Sequence, residues 1–197
     1  MANTATFHGG GNVTAYSMAE IEPRYIAFIE ASEEQSFSLG KWIPTFNRIR
    51  ALRPGDLAMI VGNTGIGKTA LLSGIAIAAR PMPTVMFQLE LSEIEMFERV
   101  VAATTKLTAE EVEKAYRSTD GRAGAELLDK KLGHFLVCCE PRLTVEKIES
   151  VVNKTELKFG CKPKIVLIDY VQLAGGDGHT RYEKSSRVSE DLKTMAK

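Results

Sequence analysis

Residues 62–69 read Gly-Asn-Thr-Gly-Ile-Gly-Lys-Thr and satisfy the pattern G-x-x-x-x-G-K-[ST] at every fixed position. A turn of this composition lets successive backbone N–H groups point inward at an anion. The helix that follows adds the partial positive charge of its N-terminus. Gly62, Asn63, Thr64, Gly65, Ile66, Gly67, Lys68, Thr69 and Ala70 are therefore the expected cradle of a nucleoside triphosphate. Lys68 is placed to reach the β- and γ-phosphates, and the Thr69 hydroxyl to ligate Mg²⁺. A glycine-rich turn before a buried helix would need neither the Lys-Thr pair nor both flanks. Here the apolar run Leu57–Val61 leads in as a strand, and residues 70–79 follow with helical composition.

Two acids extend this chemistry. Asp169 closes the apolar run Ile165-Val166-Leu167-Ile168, and the carboxyl ends of such strands are where open α/β sheets bind ligands. From there it can hold Mg²⁺ opposite Thr69, through a water. Glu90 ends another apolar run, Thr84–Leu89. A carboxylate at that edge can polarise the water that attacks a γ-phosphate. It can equally be a solvated acid at the start of a helix, where the dipole favours it.

The elements that position these groups are legible as a strand–helix alternation. After the strands at 57–61 and 84–89, Ser92 caps a helix over 93–104, and Thr108-Ala109-Glu110-Glu111 is a capping box opening another. Residues 135–139 form a third strand, Thr144 caps a further helix, and 165–168 form a fourth strand. Residues 174–180 read as a loop and 185–197 as a last helix. The strands' unbroken apolar character suits a parallel sheet with helices on both faces, an α/β fold. Upstream, residues 1–17 are polar with Gly9-Gly10-Gly11 and read as a flexible lead. Residues 18–32 carry Ile21, Tyr25, Ile26, Phe28 and Ile29, the pattern of a short amphipathic helix, with Pro23 as punctuation. The expected division is a flexible N-terminus with a possible linker helix over 1–36, and the principal domain over 37–197.

Composition excludes several other classes. Lys+Arg and Asp+Glu stand at 25 each in 197 residues, so a nucleic-acid site must be a local patch or a lining shared by several subunits. Cys138, Cys139 and Cys161 lack metal-ligand spacing, and the first two sit in an apolar run as small hydrophobes. His8, His134 and His179 are scattered singly, which argues against zinc. No signal peptide or apolar span is present, pointing to the cytoplasm and away from the membrane.

With these motifs in place, the chain resembles the DnaB-type replicative DNA helicases. Phe87-Gln88-Leu89-Glu90-Leu91-Ser92 looks like their F-S-L-E-M-S, and Asp169-Tyr170-Val171-Gln172-Leu173 like their D-Y-L-Q-L. Residues 43–46 and 52–57 resemble the segment before their first strand, and 192–197 the helix after the Asp strand. The match runs from about Gly40 to Lys197 in order. It implies a RecA-like P-loop ATPase domain using ATP and Mg²⁺. Such domains work as a homo-oligomeric, hexameric ring moving along single-stranded DNA, with a primase or helicase loader as partner. Lys68 and Thr69 match the loop residues, Glu90 the catalytic glutamate and Asp169 the Mg²⁺-coordinating acid. Gln172 matches a position supporting the nucleotide site, and residues 18–32 stand where the family has a linker helix docking on the next subunit. Arg181 and Lys184, with His179 nearby, are candidate DNA contacts; an ordinary solvated loop is the alternative.

Departures from the family pattern set further expectations. Forty residues cannot hold the family's amino-terminal collar. Residues 62–66 differ from the common bacterial G-R-P-S-M, suggesting a phage-like or divergent branch, and Glu190 replaces an Arg. The family's later segments carry a sensor Gln, a DNA-binding loop and the arginine finger. RecA-like sheets also insert a further strand between the phosphate-loop strand and the Asp strand. The sheet is therefore expected to be incomplete at its C-terminal end, as in a fragment. Competing readings are a RecA-like recombinase or clock-type ATPase, which usually lacks D-Y-x-Q-L, a small-molecule kinase, and an inactive ATP-binding module.

Overall fold

A computed structural model describes residues 6–7, 13–14, 16–33, 36–41, 43–118, 130–141, 143–169 and 181–196. The chain divides into two compact units, Met1–Pro54 and Gly55–Lys197.

In the first unit, β1 (Thr6–Phe7) pairs antiparallel with β2 (Val13–Thr14), a short ladder within the stretch read as flexible. Helix α1 spans Met18–Glu33, and Pro23 lies inside it rather than ahead of it. A proline in the second turn loses one backbone bond, and a strong start offsets that loss. Ser17 accepts from the Glu20 N–H at 3.3 Å, while Glu20 Oε2 accepts from the Ser17 N–H at 2.8 Å. This reciprocal cap fits the S-x-x-E signal at 17–20. Arg24 stacks over the Tyr16 ring at 3.8 Å, and Phe37 pairs with Leu52 in an isolated bridge.

The second unit is built on three parallel strands, β3 (Thr84–Gln88), β4 (Phe135–Cys138) and β5 (Ile165–Asp169), in the order β4-β3-β5. Central β3 is buried throughout, because both of its edges and both of its faces are covered. Its alternation divides the core. Val85, Phe87 and Leu89 pack with Leu143, Val145 and Ile148 around α5 (Val145–Phe159), and with Val188 and Leu192 of α6 (Arg181–Met195). Gln88, on the alternate face, reaches Met96 of α3 (Glu93–Thr105), and α3 packs against α2 (Lys68–Ala78). Period-two side chains and helices on both faces are the parallel α/β arrangement expected. Helix α4 (Ala109–Arg117) packs on α3.

Local chemistry sets the helix starts. Ser92 and Glu95 form a complete capping box, as do Thr108 and Glu111, and Thr144 accepts from Lys147 N–H. At the other end of α2, His134 Nε2 lies 2.9 Å from the Ala76 carbonyl, one of the last-turn acceptors that helical bonding leaves open. As donor, the imidazole ties the start of β4 to the helix that begins at Lys68.

The strand expected at Leu57–Val61 is not formed. The segment runs without ladder partners, with Met59 60% and Val61 85% exposed. A strand needs a neighbour for its backbone groups, and among the described residues no strand pairs with this segment. On the side away from β3, β5 likewise has no described partner. The turn that starts the segment is nonetheless held, because Lys193 Nζ of α6 donates to the Gly55 carbonyl.

Candidate nucleotide-binding site

The glycine-rich turn ends directly in α2. Gly65 and Gly67 have φ of 83° and 95°, left-handed values that L side chains resist, although open space surrounds both positions. Gly67 is the N-cap of α2 with no side-chain cap, and Leu71 N–H returns to its carbonyl at 2.9 Å. The first-turn N–H groups of Lys68, Thr69 and Ala70 therefore face outward at the positive end of the helix dipole. Lys68 Nζ lies 2.8 Å from the carbonyls of both Gly62 and Asn63, so the ammonium folds back over the turn. Residues 63–67 are exposed, while Lys68 and Thr69 are half-buried.

The carboxyl edge of the sheet carries the acids. Gln88 and Asp169 are register partners on β3 and β5. Asp169 is 3% exposed, and its Oδ2 accepts from Gln88 Nε2 at 2.9 Å. Gln88 Oε1 in turn accepts from the N–H groups of Glu90 at 2.8 Å and Leu91 at 3.3 Å. Glu90 itself is exposed, immediately beyond the strand. Helix α2, which opens on Lys68 and Thr69, packs against β5, which closes on Asp169. Gln172, His179 and the loop 174–180 lie outside the described residues, and Arg181 and Lys184 fall in the opening of α6.

Sequence reasoning gave Gln88 no role. A signal was present: one amide inside the otherwise apolar run 85–89, at the strand position opposite the terminal acid of the Asp strand. Cys138 and Cys139 are free and half-buried, and burial pushes both thiols above their ordinary range, which leaves them little thiolate character. Among the described residues no group of three His, Cys, Asp or Glu side chains gathers to hold a metal. Mg²⁺ does not need one, since it commonly takes one or two protein oxygens and fills its octahedron with phosphate and water. The hard oxygens of Thr69 and Asp169 fit that donor set. An apolar cavity of about 480 Å³ lies between α3, α4 and β4, lined by Phe97, Val100, Tyr116 and Phe135. No phosphate-loop residue lines it. No helix among the described residues is long and apolar enough to cross a membrane.

An uncapped helix N-terminus behind a glycine-rich turn, beside a parallel sheet whose edge carries a buried acid, defines a P-loop ATPase fold of the RecA-like kind. The family model described as DnaB-like helicase C-terminal domain matches residues 46–197, and the chain belongs to that family. Among similar proteins, the replicative DNA helicase DnaB of Treponema pallidum is 29% identical over 153 residues, covering 72% of this chain and 34% of its own length. That of Nostoc sp. is 24% identical over 147 residues, covering 72% and 17%. That of Mycoplasma genitalium is 25% identical over 206 residues, covering 94% and 42%. The chain thus spans less than half the length of these relatives. Two solved structures share the fold. The ATPase domain of G40P has a TM-score of 0.70 at 21% identity, covering 91% of this chain and 66% of its own. A DnaB-like replicative helicase, studied with its interactions with primase, has a TM-score of 0.72 at 19% identity, covering 95% and 47%.

Proposed function

We propose that this chain is the ATP-binding and ATP-hydrolysing part of a replicative DNA helicase that unwinds duplex DNA by translocating on single-stranded DNA. The observation that carries the reading is the pairing of an open α2 N-terminus, with Lys68 folded over its turn, and a buried carboxylate at the neighbouring strand end. The triphosphate would lie along residues 62–70 and draw Lys68 from its carbonyl partners to the β- and γ-phosphates. Thr69 and Asp169 would hold Mg²⁺, which neutralises charge developing on the phosphates. Glu90, exposed just beyond the strand, would take the proton of a water in line with the γ-phosphate. Gln172 would support the nucleotide site, and Arg181 and Lys184 would face DNA.

Catalysis in this class depends on assembly, so the working form is a hexameric ring in which a neighbour supplies further groups. Single-stranded DNA is the track, and a primase or loader the partner; the primase interactions of the structurally similar helicase support that choice. A replicative role of this kind places the chain in the cytoplasm. The direct test is titration calorimetry of Mg²⁺·ATP against the wild type and Lys68→Ala. Binding by the wild type and its loss in the variant are expected; equal affinity would overturn the loop assignment.

A further inference from the structure

Gln88 is 1% exposed and has its whole polar valence used. Its Nε2 donates to Asp169 Oδ2 at 2.9 Å and to Met96 Sδ at 3.8 Å, and its Oε1 accepts from the N–H groups of Glu90 and Leu91. The amide orientation is chemically determined: turned over, it would set oxygen against a carboxylate and NH₂ against two N–H donors. Few side chains can do both tasks from this position. A carboxylate would accept from the backbone but repel Asp169, a cation would serve Asp169 but leave the N–H groups unmet, and an apolar chain would do neither. Serine, which the resembling helicase signature carries here, is too short to reproduce all four contacts.

We infer that Gln88 is a positioning residue that holds the carboxylate of Asp169 and the backbone origin of Glu90 as one unit. Among the described residues Gln88 is the only group bonded to the Asp169 carboxylate, so it selects the carboxylate's rotamer and leaves Oδ1 to a ligand. The same amide clamps the turn from which Glu90 projects. A displacement of Asp169 is therefore passed through one rigid planar group to residue 90. The inference rests on the proposed role of Asp169 at Mg²⁺ and is tested so that the two can fail separately.

The probe is Mn²⁺ titrated in the presence of ADP and followed by electron paramagnetic resonance. The proteins are the wild type, Gln88→Met, Asp169→Asn and the double variant. Methionine keeps the volume and removes both arms of the amide. Loss of a side chain that orients a metal ligand weakens metal binding by about tenfold. That loss is expected in Gln88→Met, and adding Gln88→Met to Asp169→Asn should cost less than about twofold more, because the effect passes through Asp169. If Asp169→Asn binds Mn²⁺ as the wild type does, the metal assignment fails and this inference with it. If Asp169→Asn weakens binding and Gln88→Met does not, the inference alone is overturned. The backbone arm has its own readout, amide hydrogen exchange. In Gln88→Met the amides of Glu90 and Leu91 should exchange about fivefold faster, the factor one ordinary hydrogen bond carries. In Gln88→Glu, whose carboxylate still accepts, they should stay protected, and equal rates in all three proteins would overturn the clamp. Should Gln88→Met not fold, the wild type suffices: its Gln88 side-chain NH₂ resonances should shift when Mg²⁺ and ADP bind, and resonances that do not move would overturn the inference.

Discussion

Lys68 donates to the carbonyl of Gly62, 2.8 Å away and six residues back, so the loop's cation is held by the loop itself. A backbone oxygen is a weaker partner for an ammonium than a phosphate, so the bond is made to be exchanged. Lys68→Ala should weaken Mg²⁺·ATP binding by about 2–3 kcal/mol, the strength of hydrogen bonds to a charged group. Calorimetry would show this as a loss of roughly 30- to 150-fold. Thermal stability should change by less than about 0.5 kcal/mol, since the carbonyls released, on half-buried Gly62 and exposed Asn63, are within reach of water.

Glu90→Gln separates chemistry from binding. The amide keeps the shape and leaves the backbone bond to Gln88 intact, but it lacks a base. Nucleotide affinity should stay within about twofold while turnover in an assembled ring falls by about 10²-fold or more. Steady-state ATPase assays beside calorimetry check both halves, and surviving turnover would leave Glu90 a helix-entry acid.

The capping boxes carry a pH signature. The Ser92 N–H and hydroxyl hold the Glu95 carboxylate below its ordinary range, and Thr108 does the same for Glu111. A carboxyl whose folded value is depressed adds stability that is complete above its unfolded value, about 4.3, and is lost as pH falls through the lower folded value. Melting temperature should therefore drop between pH 5 and pH 3, and less steeply in a Glu95→Gln, Glu111→Gln double variant. Ser92→Ala alone should cost about 1 kcal/mol. Calorimetric melts across that range decide it.

Arg181 and Lys184 open α6, and a ring would repeat them around its channel. Removing two phosphate contacts per bound strand segment lowers the slope of log affinity against log salt by about 1.4 for single-stranded DNA. Fluorescence anisotropy of the Arg181→Ala, Lys184→Ala protein at several salt concentrations should show that flattening. An unchanged slope removes both residues from the DNA path.

Among the described residues Leu57–Val61 exposes an apolar run with no ladder partner, and β5 has no neighbour on the side away from β3. Such edges favour association. The 197-residue chain should melt at low temperature and bind a hydrophobic dye. Pairing of another strand along residues 57–61 should remove the dye signal and protect their amides from exchange. A high melting temperature with no dye signal would overturn this expectation.

Much of this protein is written locally. The loop at 62–69, the capping boxes at Ser92 and Thr108 and the Thr144 cap depend on neighbours within a few residues, and the apolar runs that become the strands at 84, 135 and 165 are local even though their pairing is not. Residue types at short spacing were therefore enough to find them. The helix over 181–195 begins four residues earlier than its polar opening suggested, whereas the helix expected over 18–32 forms over Met18–Glu33, with Pro23 inside it. What only the tertiary structure decided is long-range. The order β4-β3-β5 brings Gln88 opposite Asp169 across 81 residues of chain, and no local pattern carries that register. The run at 57–61 has the composition of a strand yet forms none, because a strand is a relation between backbones and its hydrogen bonds must come from another segment.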